Sequence, residues 1–288
     1  MKTGKLKKAL PAIAMIGPIA IWMTLFVAIP LIYVFVISFL KKGTYGGVEF
    51  AFTLSNYTDI FNPLYLKIFI YSLAVSAIVT IISILIAYPY AYFVAKKPQI
   101  TRTVLLMFVM IPFLTNSLIR TYGWMILIRS EGIINKILLS IHLIKQPIDL
   151  IYTNGAVILG LVYTLLPFMI LPLYSSIEKL DKSLLEAAKD LGANSVKTFL
   201  KVTLPLTVPG IFAGSIMVFI PALGLFFIAD LLGGSKIMLI GNLIRNQFLT
   251  ARNWPFGAAL SMVLILITLA LVAIYKKTGG NMDDLGGI

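Results

Sequence analysis

Residues able to take part in chemistry are few in this chain, and they occur in small groups. The most distinctive group consists of Glu186, Ala187, Ala188, Gly192, Leu204 and Pro205. A carboxylate beside two alanines can pair with an arginine of another protein, while the small side chains fit into a groove. The chain has no cysteine, which excludes disulfides and thiolate metal sites, and it has one histidine. An enzyme embedded in a membrane needs clustered histidines or acids, so this group indicates contact with a partner.

The first element that would position this group is a short helix. Asp181 or Ser183 caps its start, because short polar side chains accept hydrogen bonds from the free amides of a first turn. Gly192 tolerates the backbone turn that ends the helix. The predicted apolar face consists of Leu184, Leu185, Ala188 and Leu191.

A second short helix is predicted over Val196–Val202, starting at Asn194 or Ser195 and stopped by Pro205. The two helices make residues 178–205 a stiff polar segment between long apolar runs. The pattern alone leaves two interpretations open. The segment either transmits a push from a soluble partner or lies on lipid as an amphipathic loop.

The composition is that of a membrane protein. Only 12% of the 288 residues are charged, against roughly 25% in soluble domains, and the mean hydropathy is +0.98. The charges cluster between uncharged runs, which predicts an all-α protein that crosses the membrane several times. The net charge of +13 forms no basic face or stripe, so membrane lipid is expected as a partner and nucleic acid is not.

Six apolar runs are long enough to cross roughly 30 Å of hydrocarbon. The first is uncharged for 32 residues from Ala9 to Leu40, well past the apolar core of a signal peptide, and is predicted to be an uncleaved span. The predicted spans of this single transmembrane domain, 1–288, are residues 13–39, 68–95, 103–120, 155–177, 206–229 and 256–275.

Lysine and arginine set the orientation of these spans. With the N-terminus inside, segments 1–8, 96–102, 178–205 and 276–288 hold 14 basic residues. The outside loops, 40–67, 129–154 and 230–255, hold nine in a greater total length. Because cytoplasmic loops carry the excess of positive charge, both termini and segment 178–205 are predicted to face the cytosol.

The polar group resembles the EAA loop of ABC-importer permeases, in which E-A-A is followed by three residues, G, nine residues and I-x-L-P. Here the pattern is Glu186-Ala187-Ala188, Gly192 and Val202-x-Leu204-Pro205, with valine for isoleucine as its one departure. The resemblance implies a MetI-like fold of six spans, the last five of which form the core. It also implies that the segment couples the spans to an ATPase.

The resemblance extends over nearly the whole chain to the permease subunits of spermidine/putrescine importers, through runs 116–120, 173–181, 230–234, 240–244 and 253–259. It implies a heterodimer with a second permease subunit, two ATPase subunits and an external polyamine-binding protein. No Gly-x-x-x-x-Gly-Lys-Ser/Thr sequence occurs, so the ATPase would bind ATP and Mg²⁺ and this chain would bind no cofactor. The predicted function is ATP-driven import of polyamines across the cytoplasmic membrane by alternating access.

A polyamine is a flexible polycation, which carboxylates, aromatic faces and carbonyls can accompany across a membrane. The predicted spans hold no acid, and Asp230 at the outer end of the fifth is the nearest. In the same span, Pro221 to Gly224 is the candidate for a functional break.

Cation–π contacts are predicted from Phe226, Phe227, Tyr122, Trp124, Tyr163 and Trp254, with interface anchoring or core packing as their alternative roles. A weak, transient cargo site follows, because tight selection can reside in the binding protein.

Arg120 fits a cation path poorly. It lies 18 residues beyond Arg102, or about 27 Å along a continuous third helix, and therefore near the outer surface. There it would contact acidic side chains of the binding protein or pair with Asp230. His142 lies in an amphipathic stretch of an outside loop and is predicted to be a surface residue.

A secondary transporter or channel is an alternative from another class. It would need intramembrane ionisable residues or an internal repeat, and neither is evident. Transport of another small cargo by the same kind of importer is the closer alternative. Import itself follows from the EAA resemblance, since nothing else in the residues sets the direction of transport.

Overall fold

A computed structural model describes residues 16–277, in which long helices dominate. In chain order the elements are α1 (Ile16–Ile37), β1 (Leu40–Lys42), β2 (Val48–Phe52), α2 (Ser55–Asp59), α3 (Pro63–Ala95), α4 (Gln99–Leu114), α5 (Ser117–Ile128), α6 (Ile133–Ser140), α7 (Asn154–Glu178), α8 (Lys182–Asp190), α9 (Ser195–Gly224), α10 (Phe226–Gly233), α11 (Ile240–Leu249) and α12 (Trp254–Lys277). Among these residues, five helices are long and apolar enough to cross a membrane. The bent pair of helical segments Gln99–Leu114 and Ser117–Ser140 makes a sixth span when it is counted as one.

The described residues form two compact units. In the first, residues 16–62 and 244–266, α1 exposes apolar side chains along most of its length, as suits a helix that faces lipid. The antiparallel hairpin of β1 and β2 follows it. Buried Asn56 fixes the hairpin's base, because its Nδ2 donates to the carbonyl oxygens of Ser38 and Leu40 at 2.9 and 2.8 Å. The first residues of the predicted first span, 13–15, lie outside the described residues.

In the second unit, residues 63–243 and 267–277, α7 is the span with the largest buried share and packs against α3 and α9. Close approach of α7 and α9 depends on two glycines of α9, Gly210 and Gly214. A Cβ on Gly210 would overlap Ser176, and one on Gly214 would lie 2.6 Å from the Met169 sulfur. Small residues four positions apart let helix backbones approach, which stabilises helix pairs in a membrane by van der Waals packing.

The third predicted span, 103–120, is not one helix. It divides into α4 and α5, and the helical segments Gln99–Leu114 and Ser117–Ser140 meet at 92°. Thr115 is extended, and the Asn116 side chain accepts a hydrogen bond from the Leu118 amide at 2.8 Å, so a new helix starts there. Hydropathy averaged over the length of a span does not reveal this change of direction, because the two segments together are apolar enough to count as one span.

The fifth predicted span, 206–229, differs at both ends. Pro205 does not stop the second short helix, which continues from Ser195 into the span as α9. A π-helical turn over Phe199–Thr203 precedes the proline, and this wider turn accommodates its missing amide donor. At the other end α9 stops at Gly224, directly after the sequence in which we expected a break, and α10 starts at Phe226.

Candidate functional site

Of the residues of the EAA pattern, Glu186, Ala187 and Ala188 lie on α8 and Gly192 on the turn that ends it, whereas Leu204 and Pro205 lie on α9. Asp181 caps α8 by accepting a hydrogen bond from the Ser183 amide at 2.9 Å. Bonds from the backbone and side chain of Ser183 hold the pKa of the Asp181 carboxyl below its ordinary value, so the cap is charged at neutral pH. Gly192 has φ +81°, its amide donates to the Lys189 carbonyl at 2.8 Å, and the next amide donates to the Ala188 carbonyl. These bonds close the left-handed turn that a glycine favours at a helix end.

The surface of this segment is exposed and partly apolar. The Glu186 side chain is exposed, and no hydrogen bond or ion pair joins it to any side chain that the structure describes. Ala187 is also exposed, whereas Ala188 is half-buried. Leu191 is 88% exposed, although the predicted apolar face of α8 would turn it toward the protein, and Val196 is 64% exposed. Exposed apolar side chains near an exposed carboxylate are typical of a surface that binds another protein.

The base of the segment is packed against α3. The Phe199 ring lies edge-on to the rings of Tyr88 and Tyr92, with centroids 5.5 and 6.1 Å away. The Tyr88 and Thr207 hydroxyls share a hydrogen bond of 2.7 Å, which joins α3 to α9. Leu204 packs against the core of the unit. Because packed interiors are stiff, a displacement of the segment would be passed on to both helices.

An ion pair joins the start of α4 to the end of α7. Arg102 Nη1 lies 2.6 Å from Glu178 Oε1, and Arg102 Nε donates to the Lys97 carbonyl at 2.5 Å. Glu178 lies three residues before Asp181, the cap of α8. Segments 96–102 and 178–205, which the charge distribution predicts on the same side of the membrane, therefore meet at this pair.

The breaks after α4 and after α9 border one cavity of about 330 Å³. Its lining includes Phe113, Thr115, Arg120, Phe168, Leu225 and Phe227. Thr115 and Leu225 are the residues at which the two helices are interrupted. Non-helical backbone at membrane depth is tolerated where it is buried in protein or lines a cavity. The cavity is therefore the position that the geometry favours for a small molecule.

Arg120 lies in this cavity. Since α4 ends at Leu114, the distance counted from Arg102 along one continuous helix does not apply. The guanidinium carbon lies 5.5 Å from the centroid of the Phe113 ring and 5.7 Å from that of Tyr163, within the range of cation–π attraction. Among the described residues it forms no ion pair with Asp230, and its buried Nε has no hydrogen-bond partner. The expected pairing of Arg120 with Asp230 is thus not formed.

Asp230 is held by a buried amide. Asn242, which is 3% exposed, donates from Nδ2 to Asp230 Oδ1 at 2.6 Å and to the Phe226 carbonyl at 3.0 Å. The Asn242 Oδ1 accepts a hydrogen bond from the Leu239 amide at 3.2 Å. One side chain thus ties α10 to the start of α11. Asp230 is not part of the lining of the cavity around Arg120.

Three of the aromatic residues predicted for the cargo path lie at or near this cavity. Phe227 lines it and Tyr163 contacts Arg120. Trp124 packs edge-on against Tyr163, with ring centroids 5.4 Å apart. The structure therefore assembles an aromatic group around Arg120 from α5, α7 and α10.

The other predicted aromatics do not line the cavity, although the Phe226 ring lies edge-on to that of Phe227, with centroids 6.3 Å apart. Tyr122 is 47% exposed and Phe226 is 37% exposed, and neither lines the cavity. Trp254 belongs to the first unit, where it lines a different cavity of about 400 Å³ with Tyr45 and Arg252. His142 is exposed, as the sequence predicts.

Sequence reasoning missed Phe113, Phe168 and Asn242. The rings of Phe113 and Phe168 meet edge to face at 5.1 Å and form part of the cavity wall. A signal for Phe113 was present, because it lies between a proline and the polar run Thr115-Asn116-Ser117, which can begin a helix. For Phe168 and Asn242 no local pattern exists, because their roles arise from packing between distant segments.

Comparison with known proteins agrees with this architecture. Residues 79–277 match the family described as binding-protein-dependent transport system inner membrane component. The spermidine/putrescine transport system permease protein PotB of Escherichia coli (strain K12) is 48% identical over 263 residues, covering 91% of this chain and 96% of that relative. The protein of the same name from Haemophilus influenzae is 50% identical over 256 residues, covering 89% and 90%. These relatives are transport permeases and not enzymes.

Solved structures share the fold. A chain of a bacterial ABC transporter that imports the acidic polysaccharide alginate matches with a TM-score of 0.78 over 96% of both chains, at 16% identity. The inward-facing MetNI methionine ABC transporter matches with a TM-score of 0.52 over 75% of this chain and 97% of that chain, at 17% identity. Likeness at these identities concerns the fold alone, and it agrees with the predicted helical fold, to which the structure adds only the short hairpin of β1 and β2. Together with the family match and the identity to PotB proteins, it shows that this chain belongs to the binding-protein-dependent transport system inner membrane components, as a multi-pass ABC-transporter permease.

Proposed function

We propose that the chain is a permease subunit of an ATP-driven importer whose cargo is a polyamine such as spermidine or putrescine. The observation that carries this proposal is 48% identity to PotB over 91% of the chain. The cavity supports it, because aromatic faces such as those of Phe113, Phe168 and Phe227 attract organic ammonium ions. No acid lines the cavity within the described residues. A weak, transient hold on the cation and fast release are therefore expected.

The exposed surface of α8 supports contact with an ATPase. In the complete transporter, two ATPase subunits hold ATP and Mg²⁺, a second permease subunit completes a heterodimer, and an external polyamine-binding protein delivers cargo. Closure of the ATPases on nucleotide draws α8 with it through Glu186. Phe199 then passes the displacement to α3 and α9, and the spans change between inward-facing and outward-facing states.

The distribution of positive charge supports a cytosolic position for both termini and for segment 178–205. The ion pair between Arg102 and Glu178 agrees with this orientation, since it joins two segments assigned to that side. In this orientation α8 faces the compartment that contains ATP.

Uptake of labelled spermidine and putrescine into vesicles that contain the complete transporter tests the cargo. We expect uptake that requires both ATP and the binding protein. Uptake of a different cargo, with none of either polyamine, would overturn the cargo assignment. Uptake that persists on an ion gradient without the ATPase would instead indicate a secondary transporter.

Arg102→Glu is expected to lower the uptake rate several-fold, because it sets two carboxylates against each other at the base of α8. The side chains of Arg102 and Glu178 are 20% and 38% exposed, so their pairing contributes only about 0.2–1 kcal/mol to stability and the variant should still assemble. Exchange of the two residues, Arg102→Glu with Glu178→Arg, should restore most of the rate. Uptake per assembled transporter measures the coupling, with Arg129→Glu as the control. A single variant with the wild-type rate would contradict a role for this pair.

A further inference from the structure

Arg120 is a charged residue whose function the proposed import mechanism does not explain. It is the fourth residue of α5, close to a helix N-terminus, where a positive charge is unfavourable. Ionisable residues within membrane-spanning segments are costly and usually functional. Two ring faces, and no acid of the described chain, lie against its guanidinium group.

The side chains that line the cavity have the chemistry of an organic-cation site. Phe113 lines the cavity together with Phe168 and Phe227, while Thr115 and Thr164 add hydroxyl groups that can accept hydrogen bonds from ammonium groups. A cation placed over an aromatic face within about 6 Å of its centroid is attracted by the ring. The guanidinium of Arg120 already occupies such positions on Phe113 and Tyr163.

We infer that Arg120 is the resting occupant of an organic-cation site formed by Phe113 and Tyr163, and that a cargo cation and Arg120 exclude one another from it. This inference rests on the proposed function, since it takes the cargo to be a polyammonium ion. Two positive charges repel more strongly inside a protein than in water, because the effective dielectric constant is lower there. The cargo therefore takes the ring faces only when the guanidinium moves off them. The return of Arg120 then displaces the cargo, which keeps the site weak.

Removal of the charge should convert this weak site into a strong one. The probes are labelled spermidine and tetramethylammonium, bound at equilibrium to the purified complete transporter without its binding protein. Arg120→Gln and Arg120→Met, which remove the charge but keep most of the volume, are each expected to tighten binding of both probes at least tenfold. Arg120→Lys, which keeps the charge, should bind as weakly as wild type. Arg129→Gln removes one positive charge just beyond the other end of α5 and should also leave binding unchanged.

The aromatic contribution is tested by adding Phe113→Leu to Arg120→Gln, which should cancel the gain. The inference is overturned if neither neutral variant binds more tightly, or if the gain persists without the Phe113 ring. It is also overturned if neither neutral variant assembles while Arg120→Lys does, because Arg120 would then be a structural cation. Tetramethylammonium separates this inference from the cargo assignment. If the wild-type transporter takes up no spermidine but Arg120→Gln still binds tetramethylammonium more tightly, only the cargo assignment is refuted.

Discussion

Glu186→Lys is expected to abolish ATP-driven uptake while the protein still inserts into the membrane. Glu186 is exposed on α8 and makes no polar contact with the side chains that the structure describes, so reversal of its charge should leave the fold intact. A partner arginine that pairs with this carboxylate would instead meet a lysine. Loss of one member of such an interfacial pair costs about 2–5 kcal/mol, and like charges in contact add to that cost. The ATPase would then hydrolyse ATP without moving the spans.

The measurement is uptake in vesicles, normalised to the amount of variant in the membrane and to ATP hydrolysis. Glu131→Lys makes the same change at an exposed position far from α8 in sequence and should leave uptake unaffected. Gly192→Asp is a second test of the coupling role of this segment, because any side chain at φ +81° strains the turn that ends α8. Normal uptake by the Glu186 variant would remove this residue from the coupling mechanism.

Asn242→Leu is expected to destabilise the protein by about 3 kcal/mol or more and to eliminate transport. The substitution keeps the side-chain size but removes the donor to Asp230 and to the Phe226 carbonyl, and the acceptor of the Leu239 amide. The backbone here has little freedom to compensate. A Cβ on the neighbouring Gly241 would lie only 2.7 Å from the Gly224 carbonyl oxygen, at the end of α9.

Thermal unfolding of the purified complex and uptake in vesicles together measure this effect. Gln247→Leu, on the same helix and without a side-chain hydrogen bond among the described residues, is the matched control and should unfold near the wild-type temperature. Asn242→Asp should be at least as harmful, since it places a second carboxylate beside Asp230. A wild-type unfolding temperature for Asn242→Leu would show that the amide does not hold α10 in place.

Segment 178–205 could be predicted in detail because its signals are local. Asp181 caps α8 and Gly192 ends it, and each depends on a few consecutive residues. The buried span α7 begins and ends within one residue of the predicted 155–177, because a long apolar run bounded by polar residues defines it. The same local logic failed at Pro205, where a π-helical turn absorbs the proline and lets α9 continue.

The cavity could not be predicted from the same kinds of signal. Helical segments Gln99–Leu114 and Ser117–Ser140 together are apolar enough for one span, so hydropathy hides the break that places Arg120 on a separate helix. Tyr163 lies 43 residues beyond Arg120 in the chain, and only the packing of α5 against α7 brings its ring to the guanidinium. The side chain that holds Asp230 comes from a later helix for the same reason.

The amino-acid sequence by itself determined that this protein crosses the membrane several times, carries a polar segment with the EAA pattern and resembles ABC-importer permeases. These properties depend on composition and on residues close together in the chain. Only the tertiary structure decided that the helix breaks at Thr115 and Leu225 border one cavity, with Arg120 against the Phe113 and Tyr163 rings. Contacts of that kind join segments far apart in sequence, and the packing of α4, α5, α7 and α9 determines them.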